Sequence, residues 1–184
     1  MAARLTGLRR LVLAAAVALL AVSACTSLDR PTIQADKVSL PTPMQSYGAS
    51  VAAVIDQLQD AVRTAGARLE VPTAAYRPSE PESLLQAPRV VMRADLADTG
   101  DGYVVIYQTA DRGAAEQRGQ ELAGYLGSGF GQTNFAADTQ FSVGVLDDTV
   151  IFTSWSRRRS DDSERAEAVF DAIAGVGEPV KVNK

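Results

Sequence analysis

Two segments in the second half of the chain share one pattern, in which two apolar stretches flank a turn. Residues 89–107 and 141–155 each contain such a pair of stretches, and VVIYQT at 104–109 aligns with TVIFTS at 149–154. Alternation of apolar and polar residues with a period of two indicates strands, and Asp- and Gly-rich links between them indicate hairpins. Two β-hairpins are therefore the main constraint on how this chain folds.

Helical patterns precede and follow these hairpins. Apolar residues at three- and four-residue steps predict a helix over residues 44–67. Asp111 is suited to cap a second helix that runs to about Leu126, and Asp161 with Glu164 resembles a capping box at the start of a third. The order α-ββ-α-ββ-α predicts an α+β fold, a four-stranded, mostly antiparallel sheet with helices on one face.

The hairpin turns predict the strand register. A two-residue turn at 147–148 places Val145 opposite Val150. In the first hairpin, a four-residue loop determines which residues face the helices. The inner face then holds Met92, Leu96, Tyr103 and Tyr107.

The opposite face of the sheet is predicted to be mixed in polarity and open to solvent. An exposed patch that includes large apolar side chains often marks an interaction surface. We expect such a surface here, and its apolar members are Val104, Ile106, Ile151 and Trp155. The alternative is that the first helix or the proline-rich connection after it covers this face.

Composition excludes several classes of site. The 184-residue chain has no histidine and one cysteine. This excludes Ser-His-Asp and Cys-His catalytic sites, the usual zinc sites and an intramolecular disulfide. With a formal net charge of −4, the chain lacks the excess of basic residues that is typical of nucleic-acid-binding proteins. We expect no cofactor, no resident metal ion and no nucleic-acid partner.

The first 24 residues have the pattern of an export signal. Three arginines and no acidic residue precede Leu11 to Val22, twelve apolar residues without a charge or a proline. A basic start, an apolar stretch of this length and small residues after it are typical of a secretory signal, whereas a membrane-spanning helix needs roughly 20 apolar residues. We therefore expect the chain to be exported.

The apolar stretch ends in Val22-Ser23-Ala24-Cys25, which contains the chain's single cysteine. This motif resembles the lipobox of bacterial lipoproteins. The resemblance implies that the Cys25 sulfur receives a diacylglyceryl group, that a signal peptidase cuts between Ala24 and Cys25, and that the new amino group is often acylated. The Ala- and Arg-rich, Lys-poor residue usage is similar to that of GC-rich bacteria such as actinomycetes.

The resemblance divides the chain into three parts. Residues 1–24 are the signal peptide, residues 25–43 are the lipidated cysteine and a flexible tether, and residues 44–184 are one domain. Each buried CH₂ of an acyl chain contributes about 0.8 kcal/mol, so a diacylated Cys25 anchors the domain at the cell membrane, outside the cytoplasm. Without the signal's three arginines the formal net charge is −7, so the lipid must provide the attachment.

Three other features have an ordinary structural explanation. Asp95, Asp98 and Asp101 offer oxygens for a weak calcium site, but their spacing differs from an EF-hand loop and turn formation accounts for them. Three arginines at 157–159 are suited to contact phosphate or an acidic partner, but their position favours a solvated strand-to-helix turn. The glycine-rich residues 127–131 follow a helix and so lack the geometry of a phosphate-binding loop.

We expect a non-enzymatic binding or interaction module of the cell envelope, whose partner is an envelope protein or a small apolar ligand. One alternative is a carrier for a small molecule or lipid, which needs an enclosed pocket of roughly a few hundred Å³. The other is a hydrolase with two carboxylates within about 10 Å of each other as acid and base. Its candidate residues are Asp95, Asp98, Asp101, Asp147 and Asp148.

Overall fold

The computed structural model describes residues 47–73, 75–96, 102–133 and 135–183. The signal peptide, the lipobox with its cleavage site and the tether up to residue 43 lie outside the described residues, as do Asp98 and Asp101. The described residues belong to the predicted domain of residues 44–184.

Four helices, six strands and a 3₁₀ turn at Arg157–Arg159 make up the described part of the chain. The helices are α1 (Ala49–Thr64), α2 (Glu82–Leu85), α3 (Arg112–Gly127) and α4 (Ser163–Ala174). The strands are β1 (Leu69–Glu70), β2 (Arg89–Ala94), β3 (Tyr103–Gln108), β4 (Gln140–Leu146), β5 (Thr149–Trp155) and β6 (Glu178–Val180).

The predicted helix starts are confirmed for one helix and displaced by one residue for another. The Asp111 carboxylate accepts a hydrogen bond from the Ala114 N–H at 2.8 Å and caps α3 as predicted. α4 is capped by Asp162, which accepts from the Arg165 N–H at 3.1 Å. The prediction that Asp161 caps α4 is therefore wrong, because the neighbouring aspartate supplies the same chemistry.

The strands form one antiparallel sheet in the order β1-β2-β3-β5-β4-β6. The α+β class and the antiparallel sheet are confirmed, but the four strands and the order α-ββ-α-ββ-α are wrong. β1 and β6 extend the two edges of the sheet, and α2 lies between β1 and β2 in the chain. These edge strands have two and three residues, too few for an alternating pattern to be visible in a sequence.

The second hairpin has the predicted register, and the first does not. Val145 lies opposite Val150, and Asp147, with a φ of 51°, takes the left-handed conformation of a tight turn. Met92 lies opposite Val104, so the two residues share a face of the sheet. The prediction placed Met92 on the inner face and Val104 on the solvent face. The link between β2 and β3 has eight residues instead of four, and a slip of one residue reverses the faces of a strand.

Helices cover both faces of the sheet, not one as predicted. α1 and α4 pack on one face, which holds Val90, Met92, Ala94, Val104, Ile106 and Ile151. α3 and residues 75–88 pack on the other face, which holds Val105, Tyr107, Val143, Val145, Val150 and Phe152. The reason lies in β3 and β5, where consecutive residues are apolar, as in strands that are buried on both faces.

The sheet face that was predicted to be an interaction surface is therefore buried. Val104 and Ile106 are 0% exposed, and Ile151 and Trp155 are 2% exposed. The apolar stripe of α1 packs on this face, and α4 covers Trp155 with Phe170, whose ring centroid lies 6.3 Å away. The alternative in which the first helix covers this face is the correct one.

The resemblance between the two hairpins extends to the pairing of their inner strands. Ile106 of β3 lies opposite Ile151 of β5, and the same two residues align in the sequence. The β3–β5 pairs on either side of it are exchanged by a twofold axis that passes through the Ile106–Ile151 pair. The helices that follow the two hairpins do not obey this symmetry, since α3 and α4 pack on opposite faces of the sheet. The similarity is thus limited to the strands.

Gly119 lies where α3 packs against β4 and β6, and we predict that it cannot be replaced without cost. A β-carbon there would lie 2.9 Å from Cγ2 of Val145 and 3.3 Å from Cγ2 of Val180. We expect Gly119→Ala to lower the free energy of unfolding by about 1–2 kcal/mol, because overpacking outweighs the gain in helix propensity. Urea-induced unfolding measures the change.

The matched control is Gly124→Ala, at an exposed position of the same helix where a β-carbon would meet no atom within 4 Å. There only the gain in helix propensity remains, about 0.5–1 kcal/mol of added stability. Equal stability of the two variants would contradict the close packing of α3 on the sheet.

Candidate functional site

Of the five aspartates predicted as acid–base candidates, the structure separates Asp95 from Asp147 and Asp148, and the other two lie outside the described residues. Asp95 follows β2 at one end of the sheet, whereas Asp147 and Asp148 form the β4–β5 turn at the other end. The strands between these ends have six and seven residues, about 20 Å at the rise of an extended chain. That is too far for an acid–base pair.

Asp95 and Asp148 both contribute to the fold. Asp95 accepts a hydrogen bond from the Arg68 N–H at 2.7 Å, and its carboxylate lies 3.7 Å from the guanidinium groups of Arg68 and Arg165. The Asp148 carbonyl accepts from the N–H and the hydroxyl of Thr109, at 2.8 and 2.7 Å. Among the described residues, no group of three or more ligand side chains is placed to hold a metal ion.

A carrier needs an enclosed cavity, and two spaces among the described residues have a different form. Next to Trp155 the structure encloses about 10 Å³ between β5 and α4, far less than the few hundred Å³ of a typical ligand pocket. A space of about 590 Å³ between α1 and α4 is an open groove on the surface. It is lined by Ala61, Thr64, Ala65, Ala168, Asp171 and Ala172.

Residues 75–88, which we call the strap, cross the sheet beside α3 and carry a buried carboxylate. Oε1 of Glu80 accepts hydrogen bonds from Arg77 and Arg89, both at 2.8 Å, and Oε2 accepts from the Tyr107 hydroxyl at 2.5 Å. Arg89 and Tyr107 lie opposite each other on β2 and β3. Burial, and then the charge of Glu80, raise the pKa of Tyr107 well above its usual value, so the hydroxyl remains a donor.

The rest of the strap is also attached, which favours a structural role for Glu80. The ring of Tyr76 stacks on that of Tyr103 with centroids 4.0 Å apart. The Ser83 hydroxyl donates to Glu121 of α3 at 2.6 Å. This bond, together with one from Arg118, lowers the pKa of Glu121 to about 2. The Glu80 cluster is saturated by its own partners and therefore holds the strap in place.

The described chain begins at one end of the sheet, and its longest loop lies at the other. Gly48 lies beside the side chain of Gln108, where β3 ends, and we call this the near end. The opposite end, which we call the far end, holds residues 128–133 and 135–139 between α3 and β4, and the 3₁₀ turn after β5. Loops on a rigid scaffold carry most binding sites, so the far end is the candidate site.

The loop after α3 presents an exposed aromatic side chain on an ordered turn. Phe130 is 74% exposed, and its ring lies edge-on to that of Tyr125 with centroids 6.1 Å apart. The Ser128 hydroxyl donates to the Tyr125 carbonyl at 2.6 Å and accepts from the Gly131 N–H at 3.1 Å. A side chain at Gly131 would collide with the Tyr125 carbonyl. These contacts fix a turn whose outermost side chain is apolar.

The second feature of the far end is the exposed 3₁₀ turn at Arg157–Arg159, and the predicted solvated turn is confirmed. Asp138, in the loop that carries Phe130, accepts from the Ser156 hydroxyl at 2.9 Å and from the Arg158 N–H at 3.0 Å. Loss of solvent raises the pKa of Asp138, but these hydrogen bonds outweigh that effect and hold it below its usual value. A charged carboxylate thus joins the two loops.

In comparisons with known proteins, the chain matches no family model, no curated protein and no solved structure. Among the described residues, no helix is both long enough and apolar enough to cross a membrane. The function must therefore follow from the chain's own sequence and geometry.

Sequence reasoning missed two of the residues that define these features, Glu80 and Phe130. Glu80 has no local signal, because its partners Arg89 and Tyr107 meet it only when the strap crosses the sheet. Phe130 has a signal, since it is a single aromatic residue in the glycine-rich stretch 127–131. Glycines around an exposed aromatic residue indicate a turn that presents it.

We predict that the Glu80 cluster controls the stability of the domain. Glu80→Gln keeps the shape of the side chain but leaves Arg77 and Arg89 without their carboxylate. We expect a loss of about 3 kcal/mol in the free energy of unfolding, because breaking a buried ion pair leaves charge uncompensated. Urea-induced unfolding measures the loss.

The control is Glu82→Gln, two residues further along the strap, where the side chain is exposed. Surface substitutions of this kind change stability by about 0.5 kcal/mol or less. If Glu80→Gln were as stable as Glu82→Gln, the Glu80 cluster would not hold the strap.

Proposed function

We propose that this protein is a lipid-anchored bacterial lipoprotein that faces outside the cytoplasm and binds a partner protein of the cell envelope without catalysing a reaction. The anchor is supported by the lipobox resemblance of Val22-Ser23-Ala24-Cys25 after an export signal. The binding role is supported by the ordered turn that exposes Phe130 at the far end.

The two ends of the domain support a division of roles between attachment and binding. The described residues begin at the near end, and in this proposal a lipid on Cys25 provides the attachment through the residues that precede them. Phe130 and the arginines of the 3₁₀ turn lie at the opposite end. A partner can then reach the far end while the anchor stays in the membrane.

The exposure of Phe130 is the observation that carries the proposal. Aromatic residues and arginine are enriched at the centres of protein interfaces, where a few side chains provide most of the binding free energy. The bonds of Ser128 and the close approach of Gly131 already order the turn, so binding costs little further conformational entropy. A large apolar side chain held in this way fits a partner's pocket.

The described geometry favours this role over the two alternatives. For a hydrolase, Asp95 cannot pair with Asp147 or Asp148 as acid and base, because they lie at opposite ends of the sheet. A carrier requires an enclosed pocket, whereas the space beside Trp155 measures about 10 Å³.

The lipid anchor can be tested at Cys25. We expect Cys25→Ser to abolish lipidation, so that the protein retains its signal peptide or leaves the detergent phase on phase separation. Intact mass and phase partition measure both effects. Ser23→Ala is the matched control, because it keeps a small residue in the motif and should be processed normally. A mature, membrane-bound Cys25→Ser protein would contradict the anchor.

The binding surface can be tested by cross-linking in intact cells. A photoreactive amino acid at Gly129 lies next to Phe130, at a position where a β-carbon meets no atom within 4 Å. We expect it to yield a defined adduct with a partner protein, and Phe130→Ser in the same chain to reduce that adduct at least tenfold, because truncation of a central aromatic residue costs about 2 kcal/mol or more.

The control variant is Val71→Ser, since Val71 is 76% exposed, as much as Phe130, but lies away from the loop. This substitution should leave the adduct unchanged. An adduct that persists in Phe130→Ser, or that is lost equally in Val71→Ser, would overturn the assignment of the far end as the binding surface.

A further inference from the structure

We propose that the far end recognises an acidic segment of its partner protein, with Phe130 contacting an apolar residue of that segment and Arg158 and Arg159 pairing with its carboxylates. This inference rests on the proposed function and adds the chemistry of the partner. It depends on how the charges of the far end are already used.

Two carboxylates near the 3₁₀ turn are engaged within the domain. Both oxygens of Asp138 accept hydrogen bonds, one from the Ser156 hydroxyl and one from the Arg158 N–H. Asp162 accepts from the Arg165 N–H as the cap of α4. These hydrogen bonds come from backbone N–H groups and a hydroxyl, although the charge of Asp138 also attracts Arg158.

The arginines, by contrast, keep most of their hydrogen-bonding capacity. Arg157 lies 3.5 Å from Glu167. Within the part of the chain that the structure describes, Arg158 and Arg159 have no carboxylate within 4.0 Å and are exposed. A guanidinium group offers five donors in a planar fork that matches a carboxylate, so two such groups on one turn form a receptor for acidic side chains.

An acidic protein segment fits this surface better than an anionic membrane does. The mature chain has a formal net charge of −7, so an extended anionic bilayer repels the domain as a whole. A short acidic segment is affected mainly by the positive charges of the 3₁₀ turn itself.

The test uses the mature lipidated protein, reconstituted through its anchor into phosphatidylcholine vesicles. The probes are a labelled random copolymer of glutamate and leucine and a poly-L-glutamate of the same length. We expect the copolymer to bind and Arg158→Gln with Arg159→Gln to weaken binding about tenfold. Phe130→Ser should weaken binding of the copolymer but not of poly-L-glutamate, because only the copolymer has an apolar side chain for Phe130.

The charge control is Arg112→Gln, which removes a positive charge at the near end, where α3 begins after β3. It should change the affinity less than twofold, since the copolymer does not contact this residue. Equal affinity of the wild type and the Arg158, Arg159 variant would overturn the proposal. Displacement of the copolymer by added phosphatidylglycerol vesicles would also overturn it, in favour of a membrane.

The outcome can be separated from that of the proposed function. If cross-linking from Gly129 depends on Phe130 while copolymer binding does not depend on Arg158 and Arg159, the far end binds a partner that is not acidic. If cross-linking does not depend on Phe130, the proposed function itself fails.

Discussion

Burial of both faces of the central strands determines most of what this domain can do. The four residues Val104 to Tyr107 are all 0% exposed, although they point alternately to opposite faces. Apolar surface contributes about 25 cal/mol per Å² when it leaves water, so neither face can remain open without a large loss. α1 and α4 close one face, and α3 with the strap closes the other. Binding is therefore left to the ends and edges of the sheet and to the outer surfaces of the helices.

The strap shows how a short irregular segment completes a layer of the domain. It packs on β3 through irregular chain and the four-residue helix α2. Glu80 fixes its position, because the carboxylate is stable inside the domain only when Arg77, Arg89 and Tyr107 all donate to it. Such a cluster adds little net stability over apolar packing, but removal of one member is costly. It therefore specifies a single position for the strap on the sheet.

The sequence predicts local structure here better than it predicts layers. The register of β4 and β5 could be predicted because a two-residue turn leaves one pairing for Val145 and Val150. The first hairpin could not, because its eight-residue link permits several registers. The sequence did indicate that both faces are covered, because the apolar residues of β3 form an unbroken run. A search for alternation alone wrongly assigns one face of that strand to solvent. The Glu80 cluster joins residues distant in the chain, and no local pattern predicts such a contact.

The central claim is that the sheet is closed on both faces and that binding is left to the far end. Trp155 tests it most directly, because it is the chain's single tryptophan and belongs to the face that the sequence predicted to be open. Acrylamide quenching of its fluorescence measures its exposure in the mature protein. At 2% exposure, Trp155 should emit at shorter wavelength than free tryptophan and be quenched much more slowly. Emission and quenching like those of free tryptophan would show an open face and contradict the account.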